Sequence, residues 1–142
     1  KAGVKTILHS LPGRNDTVRL GLEALLSELP GLAGCIFLPG DQPLLRKESL
    51  EAMARDFSAL DEKERAILRL GFRAEDGTER LGSPVLFGSS YFDALCSLPE
   101  GKGGGVVIRR HPESVQAVYA ARQEELGDAD TVEELERLRR LL

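Results

Sequence analysis

The chain has 142 residues, 42% hydrophobic and 30% charged, the length and balance of one folded domain with a real core rather than a disordered segment. No apolar run approaches the roughly 20 residues that a bilayer span needs and no signal-peptide pattern is present, so no membrane partner is expected. The formal charge of −4, from 19 basic and 23 acidic side chains, offers no basic excess for tracking nucleic acid, although a mononucleotide can still be held at a local site.

In chain order, Val4 to Leu8 is expected to form a short strand, followed by a loop from His9 to Arg14. Asn15 or Asp16 then suits the N-cap of a helix whose Val18, Leu22, Leu25, Leu26 and Leu29 recur at helical spacing, and Pro30-Gly31 ends it. Cys35 to Leu38 is a short apolar run between Gly34 and Pro39-Gly40, which reads as a strand buried on both faces. Leu50, Met53, Ala54 and Phe57 mark a second amphipathic helix. Strand and helix alternate, which implies a parallel sheet with right-handed crossovers.

Ala66 to Phe72 is the next expected strand, and Glu75-Asp76-Gly77-Thr78 turns into the segment Leu81 to Gly88. Ser89 suits the start of a helix containing Phe92, Leu95 and Leu98, after which Gly101-Lys102-Gly103-Gly104-Gly105 leads into Val106 to Arg110. Those glycines let a backbone approach a bound phosphate closely, or they form a flexible surface turn. Val115 to Ala120 is a further strand. Thr131 and Glu134 have capping-box spacing at the start of a closing helix striped by Leu135, Leu138, Leu141 and Leu142.

The most informative residue is Asp41, just past the carboxyl end of the Cys35 to Leu38 strand. Ligands of open α/β sheets bind in that crevice, where a carboxylate is well placed to hold Mg²⁺ against a phosphate; equally, Asp is common in Pro-Gly turns for conformational reasons. Asp128 and Asp130 present a similar choice between a helix N-terminus that favours negative charge and a second carboxylate on the same metal. Cys35 and Cys96 have no neighbouring metal-ligand pattern, read as small buried apolar residues and suit a reducing cytoplasm. His9 and His111 stand alone and read as surface or loop residues.

Taken together, Thr17-Val18-Arg19-Leu20-Gly21-Leu22, Leu38-Pro39-Gly40-Asp41-Gln42-Pro43, Gly82-Ser83-Pro84-Val85-Leu86-Phe87, Gly101-Lys102-Gly103-Gly104 and Asp128-Ala129-Asp130-Thr131-Val132-Glu133-Glu134-Leu135 resemble the MobA-like NTP transferases, most closely the molybdenum cofactor cytidylyltransferase branch. The resemblance implies a three-layer α/β/α sandwich, Rossmann-like, with a mainly parallel sheet. It implies a cytoplasmic enzyme that transfers CMP, or GMP, from an NTP to molybdopterin with release of pyrophosphate, CTP being the preferred donor and a molybdoenzyme or maturation protein a further partner. Asp41 would be a Mg²⁺ ligand, joined by Asp130 with Asp128 behind it. Thr17 would lie near the base, with Arg19, Pro39 and Gly40 in the nucleotide-binding motifs. Ser83, Pro84, Gly101, Lys102, Gly103 and Gly104 would line the acceptor side. Two carboxylates on Mg²⁺ suffice for such chemistry, which rests on positioning and charge neutralisation.

Two departures stand out. The family's opening loop, of the form L-A-A-G-x-S-x-R-x-G with a lysine after it, has no match, and Lys1 to Lys5 reads as the end of a preceding loop. Residues 1–142 are therefore expected to be one partial domain that lacks the first βα units and is inactive alone, although a tag-cleaved product would begin the same way. Lys102 also stands where many members carry Asp. The rival functions are nucleotidyl transfer to another phosphorylated metabolite and a non-catalytic MobA-like module that binds or matures a cofactor.

Overall fold

The computed structural model describes residues 13–38 and 42–127. The strand expected at Val4 to Leu8, the turn Pro39-Gly40-Asp41, Asp128, Asp130 and the closing helix lie outside the described residues. The first helix, α1 (Arg14–Glu28), begins slightly earlier than Asn15 or Asp16 as cap would place it. Gly13 is the cap residue, and Asp16 reaches back to accept its N–H at 3.3 Å. Asn15 is unavailable for capping because its Oδ1 accepts the Gly101 N–H at 2.8 Å, which ties the helix start to the glycine cluster.

Four strands form the described sheet: β1 (Gly34–Phe37), β2 (Ile67–Arg73), β3 (Glu79–Gly88) and β4 (Val115–Tyr119), in the order β1-β3-β2-β4. Three of them run in one direction, and β3 runs against both of its neighbours. The cause is local. Gly77 takes a φ of +92°, a conformation open to glycine, and Asp76 Oδ1 accepts both the N–H and the hydroxyl of Thr78. That turn folds β3 back on β2 as a hairpin, so β3 occupies the place beside β1 that a simple crossover would have given to β2. Because β1 borders the described sheet, its residues are half-buried rather than enclosed on both faces.

Strand periodicity sorts the core into two layers. Ile67, Val85 and Phe87 face one side and pack against Leu22 of α1, the short helix α3 (Phe92–Leu95) and Val107 of α4 (Gly105–Arg110). Leu68, Leu70 and Leu86 face the other, against Met53 and Phe57 of α2 (Lys47–Ser58) and against Leu126. The result is the expected α/β/α layering. Ser89 opens a single 3₁₀ turn that runs into α3, and the apolar residues expected there, Phe92, Leu95 and Leu98, are all buried. Among the described residues no helix is long and apolar enough to cross a membrane.

Candidate functional site

The register between β2 and β3 breaks between Arg69 and Gly71, which pair with Val85 and Leu81. Gly82-Ser83-Pro84 therefore bulges out of the ladder, as suits a segment whose proline has no N–H to donate. Side chains satisfy the carbonyls so released. Arg69 Nε donates to Gly82 O at 3.2 Å, and Gln42 Nε2 donates to Ser83 O at 2.9 Å.

The bulge borders a cavity of about 470 Å³ at the carboxyl end of β1. Phe37, Val85, Phe87, Leu95 and Ile108 form its apolar wall, with the Phe37 and Phe87 rings edge to face at 5.8 Å. Its polar lining is Arg14 and Thr17 from the first turn of α1, Arg69 from β2, Ser83 from the bulge, and the Gly103 to Gly105 backbone. No carboxylate lines it among the described residues. The acid nearest in sequence, Asp16, is engaged by the Gly13 N–H and by Arg19 at 3.2 Å. Burial of Arg69 pushes its guanidinium below the ordinary arginine value.

Of the residues singled out from sequence, Thr17, Ser83, Gly103 and Gly104 come together in this lining. Pro84 is fully buried and does not line the cavity. Arg19 lies elsewhere, between Asp16 and Glu23 on α1. Gly101 takes a φ of +77° at the turn before the cluster, and Lys102 is exposed and outside the lining. The glycine cluster is thus a structured wall, with Gly104 packed against Phe87. Sequence reasoning missed Arg14 and Arg69. A single arginine amid the apolar Ile67-Leu68-Arg69-Leu70 run is the signal that points to the second of them.

Behind the cavity a buried tie secures the residue that follows Asp41 in the chain. Gln42 is buried, and its amide bridges Ser83 O and Glu125 O, both at 2.9 Å. Glu125, only 2% exposed, accepts the Arg46 N–H at 3.2 Å and the Ser49 hydroxyl at 2.5 Å, so it supplies the N-terminus of α2 with a cap from a distant segment. Among the described residues no group of three or more His, Cys, Asp or Glu side chains is arranged to hold a metal. The arginine-rich lining is itself unfit for a cation.

An α/β/α domain with its cavity at the carboxyl end of a strand is the architecture of nucleotide-handling proteins. Residues 2–116 match the MobA-like NTP transferase domain, and the chain belongs to that family. Its fold is similar to that of Rv0371C from Mycobacterium tuberculosis H37Rv, crystallised in complex with manganese, at 23% identity and a TM-score of 0.57. The match covers 85% of this chain and 60% of that one, so the chain spans less than two thirds of the length of its structural relative. Comparison with curated proteins gave no match.

Proposed function

We propose that the chain carries the acceptor side of a nucleotidyltransferase that moves CMP or GMP from CTP or GTP to molybdopterin, releasing pyrophosphate. The observation that supports this most is the cavity: it opens at the end of β1, beside Leu38 and so close in sequence to Asp41, and its described lining carries cations and hydroxyls but no carboxylate. Such a lining suits a phosphorylated acceptor. Asp41, with Asp130 and Asp128, supplies the hard oxygen ligands that Mg²⁺ prefers, and that ion neutralises triphosphate charge when bound. Thr17 and Ser83 offer hydroxyls to the reactants, while the apolar wall excludes water and orients a ring-sized body. Reaction then depends on holding acceptor and donor in line.

The test is pyrophosphate release by the full-length enzyme with each NTP, Mg²⁺ and molybdopterin, compared with the Asp41→Asn variant. The substitution removes a charge and keeps the side chain's size, so the fold should persist while turnover falls on the order of 100-fold or more. Unchanged turnover with a normal Mg²⁺ requirement would remove Asp41 from the mechanism. Transfer to another phosphorylated metabolite in preference to molybdopterin would replace the acceptor.

A further inference from the structure

Two arginines from different elements line the cavity, and among the described residues neither pairs with a carboxylate. Arg14 is an exposed residue at the start of α1, and Arg69 is half-buried in the sheet. Each is held in place by its surroundings. The bond from Arg69 Nε to Gly82 O uses the donor nearest the stem and leaves the two terminal nitrogens of this cavity-lining residue out of that bond. The Arg14 guanidinium lies across Gly103: its Nη2, Cζ and Nε stand 3.2, 3.4 and 3.4 Å from where a Cβ on that residue would be. All three atoms crowd the space that a Cβ there would take. A methyl group at position 103 would press on the guanidinium and shift it by a few tenths of an ångström.

We propose that Arg14 and Arg69 form a two-pronged anion clamp in this cavity, that Gly103 is the platform holding Arg14, and that the group clamped is the phosphate of a phosphate-monoester acceptor. This rests on reading the cavity as the acceptor side. A single carboxylate has two oxygens and one charge, which one guanidinium fork satisfies. Two forks and two charges match a tetrahedral dianion with three free oxygens, and the Ser83 hydroxyl adds a further donor. The residues so assigned set the specificity for acceptor charge.

The experiment titrates inorganic phosphate into the full-length protein at constant ionic strength, with acetate as control, and follows the arginine Nε–H and the Gly103 to Gly105 amide signals by NMR. Saturable phosphate binding that moves the Arg14 and Arg69 signals, with acetate at least roughly tenfold weaker, is expected. Arg14→Gln and Arg69→Gln should each weaken phosphate by about tenfold or more, while Arg14→Lys, which keeps the charge but loses the fork, should recover only part of the loss. Gly103→Ala retains both arginines and its φ is not in the left-handed region, so the fold should hold while phosphate binding weakens severalfold; this keeps the test decisive if Arg69→Gln proves unstable. Equal phosphate affinity across the variants, or no saturable binding by the unaltered chain, overturns the clamp. The two readings fail separately, because titration needs no turnover. Arginine-dependent phosphate binding in an enzyme that transfers to no phosphorylated acceptor upholds the clamp and sinks the acceptor assignment; intact transfer with phosphate affinity indifferent to both arginines does the reverse.

Discussion

Removing the Glu125 side chain tests whether a buried carboxylate holds the start of α2 against the segment that leads into it. Its Oε1 receives two donors, the Arg46 N–H at 3.2 Å and the Ser49 hydroxyl at 2.5 Å, and the residue is almost wholly buried. Hydrogen bonds to a charged group contribute about 1.5 to 3 kcal/mol each, and Glu125→Ala takes the acceptor from both donors, of which the Ser49 hydroxyl is buried. Relief from burying a charge offsets part of this, so the lower figure applies to each bond. The expected loss is about 3 kcal/mol, a large share of the roughly 5 to 15 kcal/mol typical of a domain. For a chain of this length that lowers Tm by roughly 12 °C. Glu125→Gln keeps an acceptor of the same shape and should lose about 1 kcal/mol. Urea unfolding followed by circular dichroism measures both, and faster hydrogen exchange at the Arg46 amide locates the damage. In a double-mutant cycle Ser49→Ala should cost less in the Glu125→Ala background than alone, because the two changes remove one shared bond. A Glu125→Ala variant within about 0.5 kcal/mol of the unaltered chain would refute the capping role, since that is the scatter of ordinary surface substitutions.

Other outcomes follow from the same packing. A Cβ at Gly88 would collide with the main-chain oxygens of Lys63 and Glu64, which cannot swing aside, so Gly88→Ala should lose about 3 kcal/mol in urea unfolding; a loss under about 1 kcal/mol would show that the connection before β2 yields easily. Gly21 is exposed in the middle of α1, and a methyl group added there would meet nothing within 4 Å, so Gly21→Ala should stabilise by roughly 0.5 to 1 kcal/mol, and any destabilisation would count against the helix as described. Burial pushes the Cys35 thiol up, and burial followed by the charges of Glu23 and Asp93 pushes Cys96 up. The thiolate is the reactive form, so iodoacetamide should alkylate both more slowly than a free thiol near neutral pH, with rates still climbing above the ordinary thiol value of about 8.5; a plateau below that pH would contradict the partial burial of these two residues. Because the unfolded chain releases those protons at lower pH, the same groups should make stability fall as pH rises through the alkaline range.

Family membership was legible from residues alone, because the Thr17, Gly82-Ser83-Pro84 and Gly101 to Gly104 segments keep their order along the chain and short-range chemistry writes each one locally. So, in part, were the apolar faces of α1 and α2: Leu22, Met53 and Phe57 are buried as expected, whereas Leu29, just past the end of α1, and Ala54 of α2 are exposed. The N-cap of α1 was not legible, because it depends on Asn15 being drawn to Gly101, 86 positions away. Nor was the place of β3 between β1 and β2, since hairpin and crossover compete for the same sheet edge and only pairing in three dimensions decides between them. The lone arginine in the apolar β2 run is the one local hint of Arg69, and nothing local showed that Arg19, inside a recognisable motif, would turn to its own helix; one lies opposite a bulge that frees a carbonyl, the other between two acids at helical spacing. Residue type and local spacing determine what a segment can become, whereas charge partners and cavities belong to surfaces that meet only when distant segments pack.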